Sequence, residues 1–202
     1  MAVKDHTLDS KIIDAAKAEF MEHGYAKASL HKIAARAGIT TGALYTRYKN
    51  KDDLFISLTV PGLAAFTDQV APLQEKYMEV MKHADAEKFL AAVQEEMKVC
   101  LEVLFDHYEE CVLFFCKSGG SSLEAALKKM MEEKARQTIC FLKEIARKDM
   151  EFDGVEMILM EQFSFFKLIL EKGYTKEKTI ACLKVYEDFT AAGWKDLFEK
   201  IL

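Results

Sequence analysis

Apolar residues in the first quarter of the chain recur every three or four positions, which is the period of an amphipathic helix. This pattern predicts a first helix from about Leu8 to His23, with Gly24 where a helix would end. A second, shorter helix is predicted from Leu30 to Ala37, behind Ser29 as a good N-cap. The chain is therefore expected to begin with one long and one short helix.

A third short helix is predicted after a glycine turn. Gly38 interrupts the second helix, Thr40 is a candidate N-cap, and Leu44 supplies an apolar position in a helix from about Thr41 to Tyr48. Two short helices joined by a glycine turn are typical of the helix-turn-helix, in which glycine lets the helices meet at a steep angle. The second helix of such a pair can lie in the major groove of DNA.

The rest of the chain carries long amphipathic segments with few turn signals. Helices are predicted over residues 52–83, 86–107, 109–117, 122–148, 154–172 and 175–202. Pro61 is expected to kink or split the first of these, because proline removes an amide donor. The pattern predicts an all-α fold, with a three-helix head over residues 1–52 and a larger helical body over residues 53–202.

Charge is distributed unevenly between these two parts. The whole chain carries a formal net charge of −5, but residues 1–52 carry +3 and residues 53–202 carry −8. No acidic residue stands between Tyr25 and Lys51, a stretch that contains these cations: Lys27, Lys32, Arg36, Arg47, Lys49 and Lys51. A cationic stretch on a helix-turn-helix is the electrostatic signature of phosphate binding.

The composition indicates the cellular compartment of the protein. The amino terminus is polar and charged, without the apolar segment of a secretion signal, and no apolar run is expected to reach bilayer length. The five cysteines lack paired spacing and fall within apolar helical patterns, so we interpret them as reduced core thiols. These features predict a cytoplasmic protein that does not bind membranes.

The second and third helices resemble the signature of the tetracycline-repressor (TetR) family. The run from Ile33 to Leu54 has the family's order and spacing of small, glycine and aromatic residues, and the resemblance covers about Leu8 to Phe55. Three positions differ from the usual pattern: Thr46 replaces an aromatic residue, Arg47 a histidine and Tyr48 a phenylalanine.

The resemblance implies a ligand-responsive transcriptional regulator that binds a palindromic operator in double-stranded DNA as a homodimer and is released by a small molecule bound in the body. Repression is the more common outcome in the family. Carried over by position, DNA binding is assigned to Ser29, His31, Lys32, Thr40, Thr41, Gly42, Ala43, Tyr45, Thr46, Arg47 and Lys51. Two alternatives stay open: Tyr45 could brace the turn instead of contacting phosphate, and His31 could be an ordinary surface imidazole.

The body is rich in aromatic and methionine side chains, which can line an adaptable apolar pocket or simply fill a core. The first candidates for ligand contact are Phe105, Tyr108, Cys111 and Phe115. The resemblance places the dimer interface on the last two long helices, about residues 155–172 and 175–202. The apolar residues of these helices could face a partner or the protein's own core.

Other function classes receive less support. No phosphate-binding glycine loop, zinc-protease motif or nucleophile elbow is present, so neither catalysis nor a bound cofactor is expected. His107 and Cys111 lie one helical turn apart with Cys116 nearby, which leaves a thiol- or metal-responsive sensor as an alternative. The other alternative is a non-enzymatic helical adaptor that does not bind DNA.

Overall fold

The computed structural model describes residues 6–81, 85–147 and 151–202. Within these ranges the secondary structure consists of helices, without a strand, which confirms the all-α prediction. The helices are α1 (His6–Lys27), α2 (Leu30–Ala37), α3 (Thr41–Tyr45), α4 (Lys51–Met81), α5 (Ala86–Asp106), α6 (Tyr108–Cys116), α7 (Ser122–Ile145), α8 (Asp153–Lys172) and α9 (Lys176–Ile201).

The predicted helices occur, and α2 has the predicted bounds. The third helix ends at Tyr45 rather than Tyr48, because Arg47 N–H donates to Leu44 O (3.0 Å) in a turn that follows it. The first extends past Gly24, whose backbone is non-helical, to Lys27. The ends predicted at residues 83 and 148 lie outside the described residues.

Pro61 does not split α4, which runs continuously from Lys51 to Met81. A proline removes one backbone hydrogen bond, while the bonds on either side persist. Of the two expected effects, the split is therefore absent, and a kink at Pro61 stays a prediction.

One segment also contradicts the expectation that no apolar run reaches bilayer length. Lys51–Leu73 is long and apolar enough to span a membrane, with a mean hydropathy of 1.3. The same segment contributes Leu54, Phe55 and Leu58 to a protein core, where each is nearly inaccessible to solvent. Length and composition alone are thus weak grounds for a membrane assignment.

Packing divides the chain into two compact units. The amino-terminal unit runs to Leu63 and includes Glu109–Leu127, while the carboxy-terminal unit comprises Ala64–Tyr108 and Lys128–Leu202. The division concerns packing, so the functional boundary between residues 52 and 53 stays a prediction.

Each unit has its own aromatic core. In the amino-terminal unit, Phe20 packs edge-on against Phe55, with ring centroids 4.9 Å apart. In the carboxy-terminal unit, Phe89 contacts Trp194 and Phe198 at 5.2 and 5.1 Å. Buried aromatic pairs of this kind stabilise a core beyond their area alone.

The cysteines are not all core thiols. Cys100 and Cys111 are buried, and burial raises the pKa of the Cys100 thiol to about 12. Cys140 is exposed, because α7 turns that position away from the core. Among the described residues no group of three or more histidine, cysteine or acidic side chains is arranged to hold a metal ion.

Candidate DNA-binding surface

The turn between α2 and α3 is built around Gly38. This residue has φ 73° and ψ 29°, in the left-handed region that glycine adopts without strain. Its N–H is directed at Ala34 O and Ala35 O, and Ile39 N–H donates to Ala34 O (3.0 Å). These bonds satisfy carbonyls at the end of α2 and turn the chain into α3.

Two hydroxyl groups predicted to bind DNA also cap the short helices. Ser29 Oγ accepts from Lys32 N–H (3.4 Å), and Thr40 Oγ1 accepts from Ala43 N–H (3.1 Å). Both caps satisfy amides that a helix start leaves without partners. Because the caps use the oxygen as acceptor, each hydroxyl proton can still be donated to a phosphate.

The helix-turn-helix buries one face and exposes the other. Ile33, Ala34, Ala37 and Leu44 are at most 5% exposed and lie in the amino-terminal core. Tyr45 is 52% exposed, which leaves it accessible to DNA, and the choice between contacting phosphate and bracing the turn stays a prediction. Of the residues predicted to bind DNA, the exposed ones are His31, Lys32, Thr40, Gly42, Tyr45 and Thr46, and the partly buried ones are Ser29, Thr41, Ala43, Arg47 and Lys51.

Arg47 already has an intramolecular partner. Its Nε donates to Asp9 Oδ1 of α1 at 2.8 Å, and the two side chains are 24% and 30% exposed. A guanidinium has five N–H donors, so this bond leaves donors for a phosphate. The ion pair also connects the segment after α3 to α1.

Lys51 is directed toward α1. Its Nζ donates to Ala26 O (3.2 Å) and lies 4.8 Å from the centroid of the Tyr25 ring. Burial lowers the pKa of Lys51, an effect that the negative charge of Glu19 opposes. The ammonium has three donors, so it can hold Ala26 O and a phosphate at once.

Sequence reasoning missed the buried carboxylate of Glu19. This side chain is nearly inaccessible, and its Oε1 accepts from Ser29 N–H at 3.0 Å, which ties α1 to the start of α2. Its Oε2 lies 3.9 Å from His23 Nε2. The signal was present, because Glu19 continues the apolar stripe of Ile12, Ala15 and Ala16.

A second set of contacts missed from sequence joins α1 and α4, the helices on either side of the helix-turn-helix, to the end of α6 and the start of α7. Tyr25 N–H donates to Lys117 O (2.7 Å), just after α6. At the start of α7, Ser122 N–H donates to Asp52 Oδ1 (3.0 Å) and Ser122 Oγ donates to Asp52 Oδ2. Burial opposes ionisation of Asp52, but the hydrogen bonds from Ser122 and Tyr25 outweigh it and lower its pKa.

The predicted ligand contacts are divided between the two units. Phe105 and Tyr108 belong to the carboxy-terminal unit, where their rings stack with centroids 6.0 Å apart. Cys111 is buried in the amino-terminal unit, and Phe115 packs against that unit's core. Their role in ligand binding stays a prediction.

The last two helices expose large apolar side chains. On α8 these are Met157, Ile158 and Leu168, and on α9 they are Ile180, Val185 and Phe189. Phe189 is 81% exposed, although phenylalanine is usually buried in soluble proteins. An apolar surface of this kind is typical of a protein-protein contact.

The family comparison identifies the amino-terminal helices. Residues 12–58 match the model of bacterial regulatory proteins of the tetR family. A fatty acid metabolism regulator protein from Bacillus subtilis is 38% identical over 60 residues, which are 30% of this chain and 31% of that protein. The chain thus matches about a third of that relative's length, and between a fifth and a half of the other curated relatives.

Solved structures extend the likeness to the whole fold. A TetR-like transcriptional regulator from Rhodococcus sp. RHA1 superposes with a TM-score of 0.61 at 16% identity, covering 95% of this chain and 100% of that one. NalD, the secondary repressor of the MexAB-OprM multidrug efflux pump in Pseudomonas aeruginosa, has a TM-score of 0.53 at 18% identity, with 99% and 98% coverage. The match at residues 12–58 thus identifies the amino-terminal helices as a tetR-family region, and the fold over nearly the whole chain is similar to that of TetR-like regulators.

Proposed function

We propose that the protein is a ligand-responsive transcriptional repressor that acts in the cytoplasm. As a homodimer it binds a palindromic operator, and a small molecule bound in the carboxy-terminal body releases it. The observation that carries the proposal is the exposed face of α2 and α3, which belongs to a stretch with six cations and no acidic residue from Tyr25 to Lys51. That face suits the phosphates and the major groove of DNA.

The proposed DNA contacts are the eleven residues assigned by family position. Lys32 and Tyr45 are the first candidates for phosphate binding, because both are exposed on the short helices. Gly42 is exposed near the start of α3, where the lack of a side chain permits close approach to the bases. Arg47 and Lys51 would bind phosphate while keeping their partners Asp9 and Ala26.

The proposed dimer uses the exposed apolar residues of α8 and α9. Val185 and Phe189 point away from the side of α9 that buries Leu183 and Trp194. A second copy would remove this apolar surface from water, which favours association. Two-fold symmetry would present two recognition helices to two half-sites of the operator.

In the proposed mechanism, the small molecule releases the protein from DNA by shifting the population between two conformations of the protein. A ligand that binds better to the conformation unsuited to the operator lowers DNA affinity by the ratio of its affinities for the two conformations. The relatives supply no ligand for this chain, since the B. subtilis match is confined to 30% of it. The proposal includes no catalytic step.

The test is fluorescence anisotropy of the full chain with the DNA upstream of its own gene, across a salt series. Phosphate contacts predict an affinity that falls steeply as salt rises. Lys32→Ala should weaken binding and reduce the salt slope by about one, whereas Lys129→Ala, an exposed lysine on α7, should change neither. Absence of binding at low salt would instead favour the helical adaptor.

A further inference from the structure

The ammonium of Lys51, one of the proposed phosphate contacts, lies over the ring of Tyr25. Its Nζ is 4.8 Å from the ring centroid and donates to Ala26 O at 3.2 Å. A cation at this distance from an aromatic face is attracted by the negative potential above the ring. The ring and the carbonyl together hold the end of a long, flexible side chain in one place.

Other contacts fix the Tyr25 ring. It packs against the buried side chains of Phe20 and Phe55, with centroids 6.3 and 5.2 Å away. Burial and the Asp52 carboxylate, to which the hydroxyl donates, raise the pKa of Tyr25, so the hydroxyl keeps its proton at neutral pH. The backbone N–H of Tyr25 donates to Lys117 O at 2.7 Å. The ring is therefore neutral and held on several sides.

We infer that Tyr25 is a positioning residue for DNA binding, which holds the Lys51 ammonium where a phosphate of the DNA backbone meets it. Ordering a long side chain at an interface costs conformational entropy, and an ammonium that is already held has lost much of that freedom before DNA arrives. Ala26 O occupies one of its donors, and the others stay available for phosphate oxygens. The inference rests on the proposed function, to which it adds a residue outside the contacts assigned by family position.

A positioning role and a purely structural role for Tyr25 have different consequences. In a structural role, loss of the ring lowers the free energy of unfolding and disturbs every DNA contact alike. In a positioning role, the effect on DNA affinity passes through Lys51 and depends on the negative potential of the ring face.

The first experiment changes that potential while the shape of the ring is kept. Phenylalanine, and then phenylalanines with increasing numbers of fluorine atoms, replace Tyr25 in the full chain, and anisotropy at low salt measures affinity for the duplex upstream of its own gene. Tyr25→Phe should bind nearly as well as the natural protein. Because fluorine withdraws electrons from the ring face, affinity should then fall stepwise, by about threefold or more along the series. Constant affinity along the series would overturn the inference.

A double-mutant cycle shows whether the effect passes through Lys51. Tyr25→Leu, which lacks an aromatic face, should weaken binding by about threefold or more in the natural protein and should add nothing to Lys51→Met. Tyr174→Leu is the matched control, because Lys172 lies 6.0 Å from that ring in the carboxy-terminal unit, and it should leave affinity unchanged. An equal loss with and without Lys51 would assign Tyr25 to the core alone. The fluorinated rings decide the question even where Tyr25→Leu does not fold.

NMR of the protein without DNA separates this inference from the proposed function. Protons above an aromatic face resonate upfield, so the Lys51 side chain should show this shift in the natural protein and in Tyr25→Phe, but not in Tyr25→Leu. A natural protein that shows the shift and fails to bind DNA at low salt would contradict the proposed function, and the inference with it. A natural protein that binds DNA and lacks the shift would overturn the inference alone.

Discussion

Ion pairs in the amino-terminal unit determine which cations are already engaged before DNA is bound. Arg47 pairs with Asp9, 38 residues earlier, and Lys17 pairs with Glu109 at 2.7 Å, 92 residues later. Lys32 and Arg36 are instead exposed on α2. Charge counting along the sequence treats all of these cations alike, although their surroundings differ.

The first prediction concerns Asp9→Asn. Loss of the carboxylate charge weakens the bond from Arg47 Nε and removes a negative charge beside the proposed phosphate contacts, so DNA affinity should rise severalfold. The free energy of unfolding should fall by no more than about 1 kcal/mol, since partly exposed ion pairs contribute little. Anisotropy and denaturant unfolding measure the two effects, with Asp14→Asn on the exposed side of α1 as control. Weaker DNA binding would contradict this prediction. It would mean that Asp9 holds Arg47 in its binding position, and that this positioning affects DNA affinity more than the negative charge of Asp9 does.

The second prediction concerns the pH dependence of Asp52. Its folded pKa is lowered by the bonds from Ser122 and Tyr25, so its contribution to stability is complete above the unfolded pKa, about 4, and is lost as the pH falls through the folded value. Asp52→Asn should reduce the free energy of unfolding by about 1 kcal/mol at neutral pH. The difference from the natural protein should shrink on acidification.

The measurement for Asp52 is denaturant unfolding at neutral and acidic pH, with Asp68→Asn on the exposed side of α4 as the matched control. A difference that is constant with pH would contradict the assigned role of the carboxylate.

At the scale of elements, the short helices depend on how they are ended. The five residues of α3 are too few to be stable alone, so its Thr40 cap and buried Leu44 hold it in place. Gly24 and Gly38, which precede α3 in the chain, have different backbone conformations. Gly38 is left-handed, whereas Gly24 has φ 69° and ψ 168°, a region that is essentially restricted to glycine.

The third prediction follows from that difference. Gly24→Asn should lower the free energy of unfolding by about 1–3 kcal/mol, because the backbone conformation itself is strained for any side chain. Gly38→Asn should lower the free energy of unfolding by a smaller amount, since asparagine tolerates the left-handed region. A Cβ at Gly24 would lie 3.7 Å from Lys117 O, ordinary contact, so a clash does not explain the effect. Thermal unfolding measures both variants. An equal loss of unfolding free energy in the two would contradict a backbone conformation at Gly24 that is restricted to glycine.

At the scale of the whole molecule, the proposed regulation requires association through α8 and α9. The fourth prediction is that Phe189→Glu shifts the protein toward monomer, because it places a charge on a surface that the dimer would bury. Affinity for a full palindrome should fall, while affinity for a half-site persists. Met130→Glu, at a 53% exposed apolar residue on α7, is the control. Analytical ultracentrifugation checks the assembly, and an intact Phe189→Glu dimer would place the interface elsewhere.

Much of the fold could be predicted because helices are local. Hydrophobic period, caps and the Gly38 turn act within a few residues, so α2 was predicted with its observed bounds. The third helix was predicted to be too long, because Tyr48 continues the apolar pattern although the helix ends at Tyr45. Hydrophobic period alone does not report where backbone hydrogen bonding stops.

The sequence by itself determined the all-helical architecture, the helix-turn-helix and the resemblance of residues 12–58 to the tetR family, because these depend on spacing within one helix or turn. Only the tertiary structure decided that Asp52 bonds to Ser122, 70 residues away, and that Lys51 lies over the ring of Tyr25. Such pairings arise when distant segments pack together, and side-chain identity alone does not specify which distant partner is met. The contacts that hold the amino-terminal unit together therefore became visible only in the folded chain.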